Sequence, residues 1–219
     1  MTPFDLNEVM RQEDLARQEE RYAWIKGQCV GKVLEIGVGG AGFLRYLHSE
    51  KLPDGTFQYD PMTPVWGVDL MWEYIEEARS RFPNGNFTVM DMCRQPLPYG
   101  THEFDTVVIT EMLEHVLPIY IPRILAEAFR VCGGQIVITC PNIESEEWYA
   151  AGVLSANHFA ILTKQIFEKL LNPTPKQLAW IRSTAWAPHY PDGFKHYSID
   201  YTKSGNFITV KIWRPERFK

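Results

Sequence analysis

The sequence predicts an α/β fold built on a parallel sheet, and two observations predict it. Apolar, β-branched runs alternate with helical stretches along the chain, and Gly and Pro separate them as turns, with no repeat or low-complexity tract. A strand–helix–strand alternation requires parallel strands joined by right-handed crossovers. Because parallel sheets bind ligands beyond the carboxyl ends of their strands, functional residues are expected just after each strand.

The elements follow in order. An amphipathic helix over about residues 5–25 opens the chain and either covers the sheet or acts as a lid. Five strands are predicted at Lys32–Ile36, Val65–Val68, Phe87–Met90, Thr106–Ile109 and Gln135–Thr139. Helices are predicted near residues 42–50, 72–81 and 118–131. Two last strands, His196–Tyr201 and Phe207–Trp213, flank turn residues and predict a hairpin.

Composition narrows the class of protein. The 219 residues are 45% hydrophobic and 22% charged, which favours one ordinary globular domain. No apolar run approaches the roughly 18 to 20 residues that cross a bilayer, and the first residues do not resemble a signal peptide, so neither membrane insertion nor secretion is expected. The net charge of −5 disfavours a nucleic-acid partner without excluding one. Nothing in the sequence indicates the oligomeric state.

Cysteine usage points to a reducing compartment. The four cysteines form no CxxC pair and have no zinc-finger spacing. Neither a disulfide framework nor a structural zinc site is therefore expected, and we predict a cytoplasmic location.

A glycine-rich turn follows the first strand and opens a helix. Gly37, Gly39 and Gly42 fit the pattern G-x-G-x-x-G, in which backbone without side chains approaches a ligand and free helix N–H groups point at it. By itself the pattern fits both dinucleotides and other nucleoside cofactors. Asp69 ends the second strand, where a carboxylate accepts hydrogen bonds from ribose hydroxyls or caps the following helix.

Further segments complete a family resemblance. These are Met90-Asp91-Met92, Phe104 to Val108, Glu111 to Val116 and Cys140-Pro141-Asn142. Together with the glycine turn and Gly67-Val68-Asp69, they resemble the class I S-adenosylmethionine-dependent methyltransferases over roughly residues 30–170. The group that includes the ubiquinone-biosynthesis O-methyltransferases is the most similar.

The resemblance implies the detailed architecture. It implies a Rossmann-like, doubly wound, seven-stranded and mostly parallel sheet that ends in an antiparallel C-terminal hairpin. One methyltransferase domain would span residues 1–219. Residues 1–28 would form a helical cap, 29–170 the cofactor-binding core, and 171–219 the acceptor-side segment with the hairpin.

The resemblance also implies the cofactor, S-adenosylmethionine, and the residues at its methionine end. Gly37, Gly39, Gly40 and Gly42 would wrap the methionine part. Glu35 would order that loop or meet the amino group through water.

At the adenosine end, the resemblance assigns five residues. Asp69 would hold the ribose, and Leu70 or Met71 would pack on the adenine. Asp91 would accept from the adenine amine while the backbone N–H of Met92 meets a ring nitrogen.

A polar group follows the fourth strand. Glu111, Glu114 and His115 would share one face if the chain is helical there, and His158 could complete a set of two carboxylates and two imidazoles that suits a divalent metal. A similar set binds a metal in small-RNA 3′-terminal 2′-O-methyltransferases, and the same E-x-x-E-H text occurs in metal-free relatives. We expect no metal. We predict His115, His158 and Glu111 as catalytic residues, with Glu111 also contacting the cofactor, and structural hydrogen bonding stays an alternative.

The acceptor side is aromatic. Residues 144–159 and 172–194 contain Trp148, Tyr149, Trp180, Trp186, His189 and Tyr190. These side chains suit a planar or sugar-like acceptor, or simply pack against the sheet.

The leading function hypothesis is methyl transfer to a hydroxyl, rather than an amine, of a small-molecule or sugar-like acceptor. The alternatives are a metal-assisted RNA 2′-O-methyltransferase, an NAD(P)-dependent oxidoreductase that uses the same glycine turn, and a catalytically silent cofactor-binding module. The identity of the acceptor is not encoded in any motif.

Overall fold

The computed structural model describes residues 6–53, 57–145, 158–184, 187 and 190–215. In chain order the strands are β1 (Val33–Ile36), β2 (Ser49–Lys51), β3 (Phe57–Tyr59), β4 (Trp66–Asp69), β5 (Asn86–Val89), β6 (Phe104–Thr110), β7 (Cys132–Pro141), β8 (Tyr197–Tyr201) and β9 (Phe207–Trp213). The helices are α1 (Leu6–Gln28), α2 (Gly42–Leu47), α3 (Trp72–Arg81), α4 (Ile121–Val131), α5 (Lys164–Leu171) and α6 (Pro175–Thr184).

Seven strands form the central sheet in the order β5-β4-β1-β6-β7-β9-β8. The neighbours from β5 to β7 run parallel, and β9 runs antiparallel to both β7 and β8. The predicted fold class, including the antiparallel end of the sheet, is confirmed. Strand β1 lies between β4 and β6, so the chain adds strands first on one side of β1 and then on the other. At such a reversal of strand order the connections leave in opposite directions, which opens a crevice at the carboxyl ends of the strands.

Helices bury both faces of the sheet. All four residues of β1 and all ten of β7 are buried. Helix α4 places its apolar positions on one face at helical spacing, namely Ile121, Ile124, Leu125, Ala128 and Val131. On the other face, Ile25 of α1 is wholly buried beside Val108 and Val137. Both layers therefore hold the strand ends in fixed positions.

The structure departs from the predicted elements in three places. Helix α2 ends at Leu47, short of the predicted residue 50, because β2 pairs with β3 in a small antiparallel hairpin that the sequence did not predict. The fourth helix starts as a 3-10 turn over Pro118–Tyr120 and becomes α-helical only at Ile121. Helices α5 and α6 were also not predicted.

Helix α1 is fixed to the rest of the molecule by polar contacts. Glu20 accepts from the Ser204 N–H at 2.8 Å, in the turn between β8 and β9. Glu19 pairs with Lys51 of β2 at 2.9 Å. These contacts hold the middle of α1 over the carboxyl ends of the central strands. Among the described residues, no helix is long and apolar enough to span a membrane.

Candidate active site

The glycine turn after β1 is held against β4 by its backbone. The N–H groups of Gly37 and Val38 both donate to the Val68 carbonyl, at 2.8 and 3.0 Å. Gly37 has φ +75°, and a Cβ there would lie 2.5 Å from the Met112 side chain, so only glycine fits. Gly39 has φ +50° and no atom within 4 Å of a Cβ position, so its backbone faces open space.

Contacts inside the protein account for the other two glycines of the turn. A Cβ on Gly40 would lie 2.5 Å from the Glu77 carboxylate, and the Gly40 carbonyl accepts from Arg81. Gly42 begins α2, and a Cβ there would lie 3.1 Å from the Tyr22 hydroxyl. Gly39 therefore offers the clearest approach to a ligand.

Asp69 meets this turn directly. Its Oδ2 accepts from the Gly39 N–H at 2.9 Å, and its Oδ1 accepts from the Met71 N–H at 3.0 Å. A carboxylate has about four acceptor positions, so these two bonds leave capacity for ribose hydroxyls. The bond to Met71 orders the loop before α3, whose N-cap residue is Met71 itself, so Asp69 is not the cap of that helix.

Asp91 lies at the neighbouring strand end. Asp69 pairs with Val89 in the β4–β5 register, which brings the residues after β5 beside Asp69. Asp91 Oδ1 accepts from the Cys93 N–H at 2.8 Å, and its Oδ2 lies 3.4 Å from Arg94 Nε. Asp91 thus orders its own loop and keeps further acceptor capacity.

Apolar surface lies beside these two aspartates. Leu70 and Met71 are 62% and 47% exposed, although both are large apolar side chains. Met92 is buried in the core, so its side chain is not available to a ligand.

Glu35 is a buried carboxylate on β1. It is 1% exposed, and its Oε2 has no hydrogen-bond partner among the described residues. Burial raises the pKa of Glu35 well above its usual range, and the nearby Arg21 guanidinium only partly opposes that shift.

Arg21, on α1, is a site residue that the sequence analysis missed. Its Nη1 lies 3.3 Å from Glu111 Oε2, and its buried Nε has no partner among the described residues. The guanidinium also lies over the rings of Tyr22 and Phe207, at 5.1 and 5.0 Å. Arg21 lies four residues before the wholly buried Ile25, so both residues share the inward face of α1. This spacing is the signal in the sequence that could have identified Arg21.

Glu111 takes an unusual backbone conformation at the end of β6. Its φ is +49°, and its N–H donates to the Thr139 carbonyl at 3.0 Å. The 3-10 turn starts only at Leu113, so the expected helical face shared by Glu111, Glu114 and His115 does not form. Burial raises the pKa of Glu111, and Arg21 opposes that shift.

Glu114, His115 and His158 do come together. The Glu114 carbonyl accepts from the N–H groups of Phe159 and Ala160, at 2.8 and 3.1 Å, which holds His158 beside the turn. The two imidazole centroids are 4.9 Å apart. Burial, and then His115, lower the pKa of His158. One donor atom from each of the three side chains lies within 4.8 Å of the others.

The aromatic acceptor segments are only partly described. Trp148, Tyr149, Trp186 and His189 lie outside the described residues. Trp180 is 50% exposed, whereas Tyr190 is wholly buried and donates its hydroxyl to the Leu170 carbonyl at 2.5 Å. Tyr190 therefore packs against the core, as the alternative interpretation held.

Known proteins share this architecture. Residues 33–134 match a family model described as a methyltransferase domain. A SAM-dependent methyltransferase from Archaeoglobus fulgidus is 14% identical, with a TM-score of 0.62, over 96% of this chain and all of that chain.

Two further structures are similar over most of both chains. A SAM-dependent methyltransferase of Thermotoga maritima, named a possible histamine N-methyltransferase, is 17% identical over 95% of each chain, with a TM-score of 0.60. Magnesium protoporphyrin IX methyltransferase of Synechocystis, solved with bound SAH, is 12% identical over 98% of this chain and 90% of that one, with a TM-score of 0.57. No curated protein matches the chain.

Proposed function

We propose that this chain, a class I S-adenosylmethionine-dependent methyltransferase, transfers a methyl group to a hydroxyl of a small-molecule or sugar-like acceptor. The observation that carries the choice of a hydroxyl is the His115–His158 pair beside buried Glu114. A hydroxyl becomes a good nucleophile only as it loses its proton, and imidazole titrates near neutral pH. A neutral amine already carries the lone pair that attacks, so an amine acceptor depends less on such a group.

The charged groups around β1 fit the methionine end of the cofactor. We assign the Arg21 guanidinium to the cofactor carboxylate, and Glu35 and Glu111 to its ammonium group. Support comes from their buried atoms without partners: Arg21 Nε, Glu35 Oε2 and Glu111 Oε1. Gly39 supports the same assignment because its backbone faces open space.

The adenosine end fits the neighbouring strand ends. We assign the free acceptor positions of Asp69 to the ribose hydroxyls and those of Asp91 to the adenine amine. Leu70 or Met71 would cover the purine ring, and the Met92 N–H would meet a ring nitrogen.

The protein's part in the reaction is mainly positioning. When bound, S-adenosylmethionine supplies a methyl group on a positively charged sulfur. This chain's residues orient the acceptor oxygen toward that methyl group and exclude water. The His115–His158 pair would accept the hydroxyl proton as the acceptor oxygen takes up the methyl group, which the cofactor would supply with loss of its carbon–sulfur bond.

Calorimetric titration with S-adenosylhomocysteine tests cofactor binding. We expect the wild-type chain and Asp60→Ala, a substitution in the exposed loop before β4, to bind alike. Asp69→Ala should bind at least 10-fold more weakly, because a charge-assisted hydrogen bond contributes about 1.5–3 kcal/mol. Equal binding by Asp69→Ala would contradict the assignment of Asp69.

Transfer of a labelled methyl group to fractionated extract tests the acceptor. We expect label in the small-molecule fraction. Label confined to RNA or protein would contradict a small acceptor and, for RNA, favour the 2′-O alternative. Cofactor binding without any transfer would favour the silent module. The oxidoreductase alternative is set aside because residues 33–134 match a methyltransferase domain.

A further inference from the structure

We propose that Glu20 and Ser204 are positioning residues, which hold Arg21 in place to bind the carboxylate of the cofactor. The inference rests on the proposed function, because it uses the assignment of Arg21 to that carboxylate. It gives the turn between β8 and β9 a role in cofactor binding, although the sequence placed this part of the chain on the acceptor side.

Apolar packing fixes α1 mainly at one residue near its end. Between residues 15 and 28, Ile25 is the one buried residue of the helix, and half-buried Tyr22 adds a ring contact with Phe43 of α2. Arg21 lies about 6 Å before Ile25 along the helix axis, because a helix rises about 1.5 Å per residue. A tilt of α1 about Ile25 therefore moves Arg21, and polar contacts earlier in the helix limit that tilt.

Glu20 makes the better defined of these polar contacts. Its Oε1 accepts from the Ser204 N–H at 2.8 Å, and its Oε2 accepts from the Ser204 hydroxyl at 2.5 Å. Two charge-assisted hydrogen bonds to one residue fix both the distance and the direction of the contact. The neighbouring Glu19–Lys51 pair joins two exposed side chains, and such a surface ion pair contributes little.

The turn that carries Ser204 is itself held to the central sheet. Asn142, just after β7, donates from its backbone N–H to the Asn206 carbonyl and from its Nδ2 to the Gly205 carbonyl, both at 2.8 Å. Inside the turn, the Gly205 N–H donates to the Thr202 carbonyl at 2.9 Å. Ser204 is therefore a fixed point to which Glu20 ties α1.

Arg21 follows Glu20 directly and contacts the same hairpin. Its guanidinium lies 5.0 Å from the ring centre of Phe207, the first residue of β9, and its Nη1 lies 3.3 Å from Glu111 Oε2. Adjacent residues of α1 thus contact adjacent parts of the hairpin. If α1 moved away from Ser204, the guanidinium would move away from Glu111 and from the cofactor carboxylate assigned to it.

Calorimetry with two ligands tests the proposal. S-adenosylhomocysteine carries the carboxylate, whereas 5′-methylthioadenosine has the same adenosine and sulfur without the amino acid part. We expect Glu20→Ala to weaken S-adenosylhomocysteine binding about 3- to 10-fold, less than Arg21→Ala, because it displaces the guanidinium without removing it. Glu20→Gln and Ser204→Ala each keep part of the contact and should lose less. Binding of 5′-methylthioadenosine should stay within about 2-fold of wild type in all three variants.

Two control variants change exposed residues nearby. Lys203→Ala alters the residue before Ser204 in the same turn, and Glu50→Ala removes an exposed carboxylate on β2. Both should bind the two ligands as wild type does.

A double variant shows whether Glu20 acts through Arg21. In the Arg21→Ala background, Glu20→Ala should weaken S-adenosylhomocysteine binding no further, since the group that it positions is gone. This test decides alone if wild type binds 5′-methylthioadenosine too weakly to measure. Additive losses would overturn the proposal, and so would unchanged S-adenosylhomocysteine binding by Glu20→Ala or an equal loss for both ligands. A wild-type chain that binds no S-adenosylhomocysteine would instead count against the proposed function.

Discussion

Replacing Glu35 by glutamine should stabilise the fold and weaken cofactor binding. The side chain is almost fully buried, and its Oε2 has no partner among the described residues. Leaving one buried group unsatisfied costs about 1–3 kcal/mol, and more for a charged group. Glutamine stays neutral at every pH, whereas buried Glu35 must either ionise or bind a proton, so we expect Glu35→Gln to gain about 1–3 kcal/mol in the free energy of unfolding at pH 7.5. Each kcal/mol corresponds to roughly 2–4 °C in Tm for a chain of this size.

The pH dependence of this gain follows from the sign of the pKa shift. Burial raises the pKa of Glu35 in the folded chain, so above about pH 4.3 the folded state binds more protons than the unfolded state. The stability contributed by this group is complete below about pH 4.3 and is lost as the pH rises through the folded pKa. The free energy of unfolding cannot change by more than about 1.4 kcal/mol per pH unit through this group, because only one proton is involved. The advantage of Glu35→Gln should grow with pH accordingly.

Urea unfolding at pH 5.5, 6.5 and 7.5 measures this difference. Glu50→Gln, which changes an exposed carboxylate on β2, is the matched control and should leave the free energy of unfolding within about 0.5 kcal/mol of wild type. The reasoning is refuted if Glu35→Gln is less stable than wild type at pH 7.5, or if the difference is the same at all three pH values. Calorimetry should show about 10-fold or greater loss of S-adenosylhomocysteine affinity in Glu35→Gln.

Three further predictions concern the glycine turn and its neighbours. Asp69→Asn should weaken S-adenosylhomocysteine binding by calorimetry about 10- to 100-fold, less than Asp69→Ala, because the amide still accepts one hydrogen bond; equal loss in both would contradict this. Arg21→Ala should raise the Kd for the same ligand at least 10-fold, with Arg21→Lys intermediate, and an unchanged Kd would remove Arg21 from the site. Gly37→Ala should lower the free energy of unfolding by about 2–4 kcal/mol, since its Cβ meets a methionine side chain, whereas Gly39→Ala should cost about 1 kcal/mol and chiefly reduce ligand affinity. Equal destabilisation of the two alanine variants in urea would contradict that assignment.

The strand ends were predictable because their sequence pattern is local. β-branched runs mark β1 and β6, and strand-to-helix alternation fixes their parallel order, so the turn at Gly37 and the carboxylate at Asp69 follow directly. Their contact through Gly39 confirms that the first two strand ends converge. By contrast, β2 reads Ser-Glu-Lys and has no strand signature, so its pairing with β3 depends on tertiary context.

The contribution of α1 was not predictable, because it depends on distance through space. Arg21 and Glu111 are far apart along the chain, and no local sequence pattern joins them. Glu111 itself was found from its spacing to Glu114, but that spacing assumed a helix. Glu111 instead has a left-handed backbone and precedes the 3-10 turn, and its carboxylate pairs with Arg21. The sequence spacing therefore identified Glu111 and Glu114, but it did not predict which neighbour each of them contacts.

Buried atoms without hydrogen-bond partners are concentrated in this group of residues. Six buried side-chain atoms of the described residues lack a hydrogen-bond partner, and four of them belong to Arg21, Glu35, Glu111 and Glu114. Native proteins keep few such atoms, so their concentration in residues that interact with one another indicates missing partners rather than scattered defects. Arg21 requires an anion, Glu35 and Glu111 require a cation or donor, and a methionine head group brings both charges. Glu114 belongs to the same charged group, because burial and then the Glu111 carboxylate raise its pKa, and Arg21 opposes that shift. One head group that carries both charges thus accounts for the unpartnered atoms of Arg21, Glu35 and Glu111.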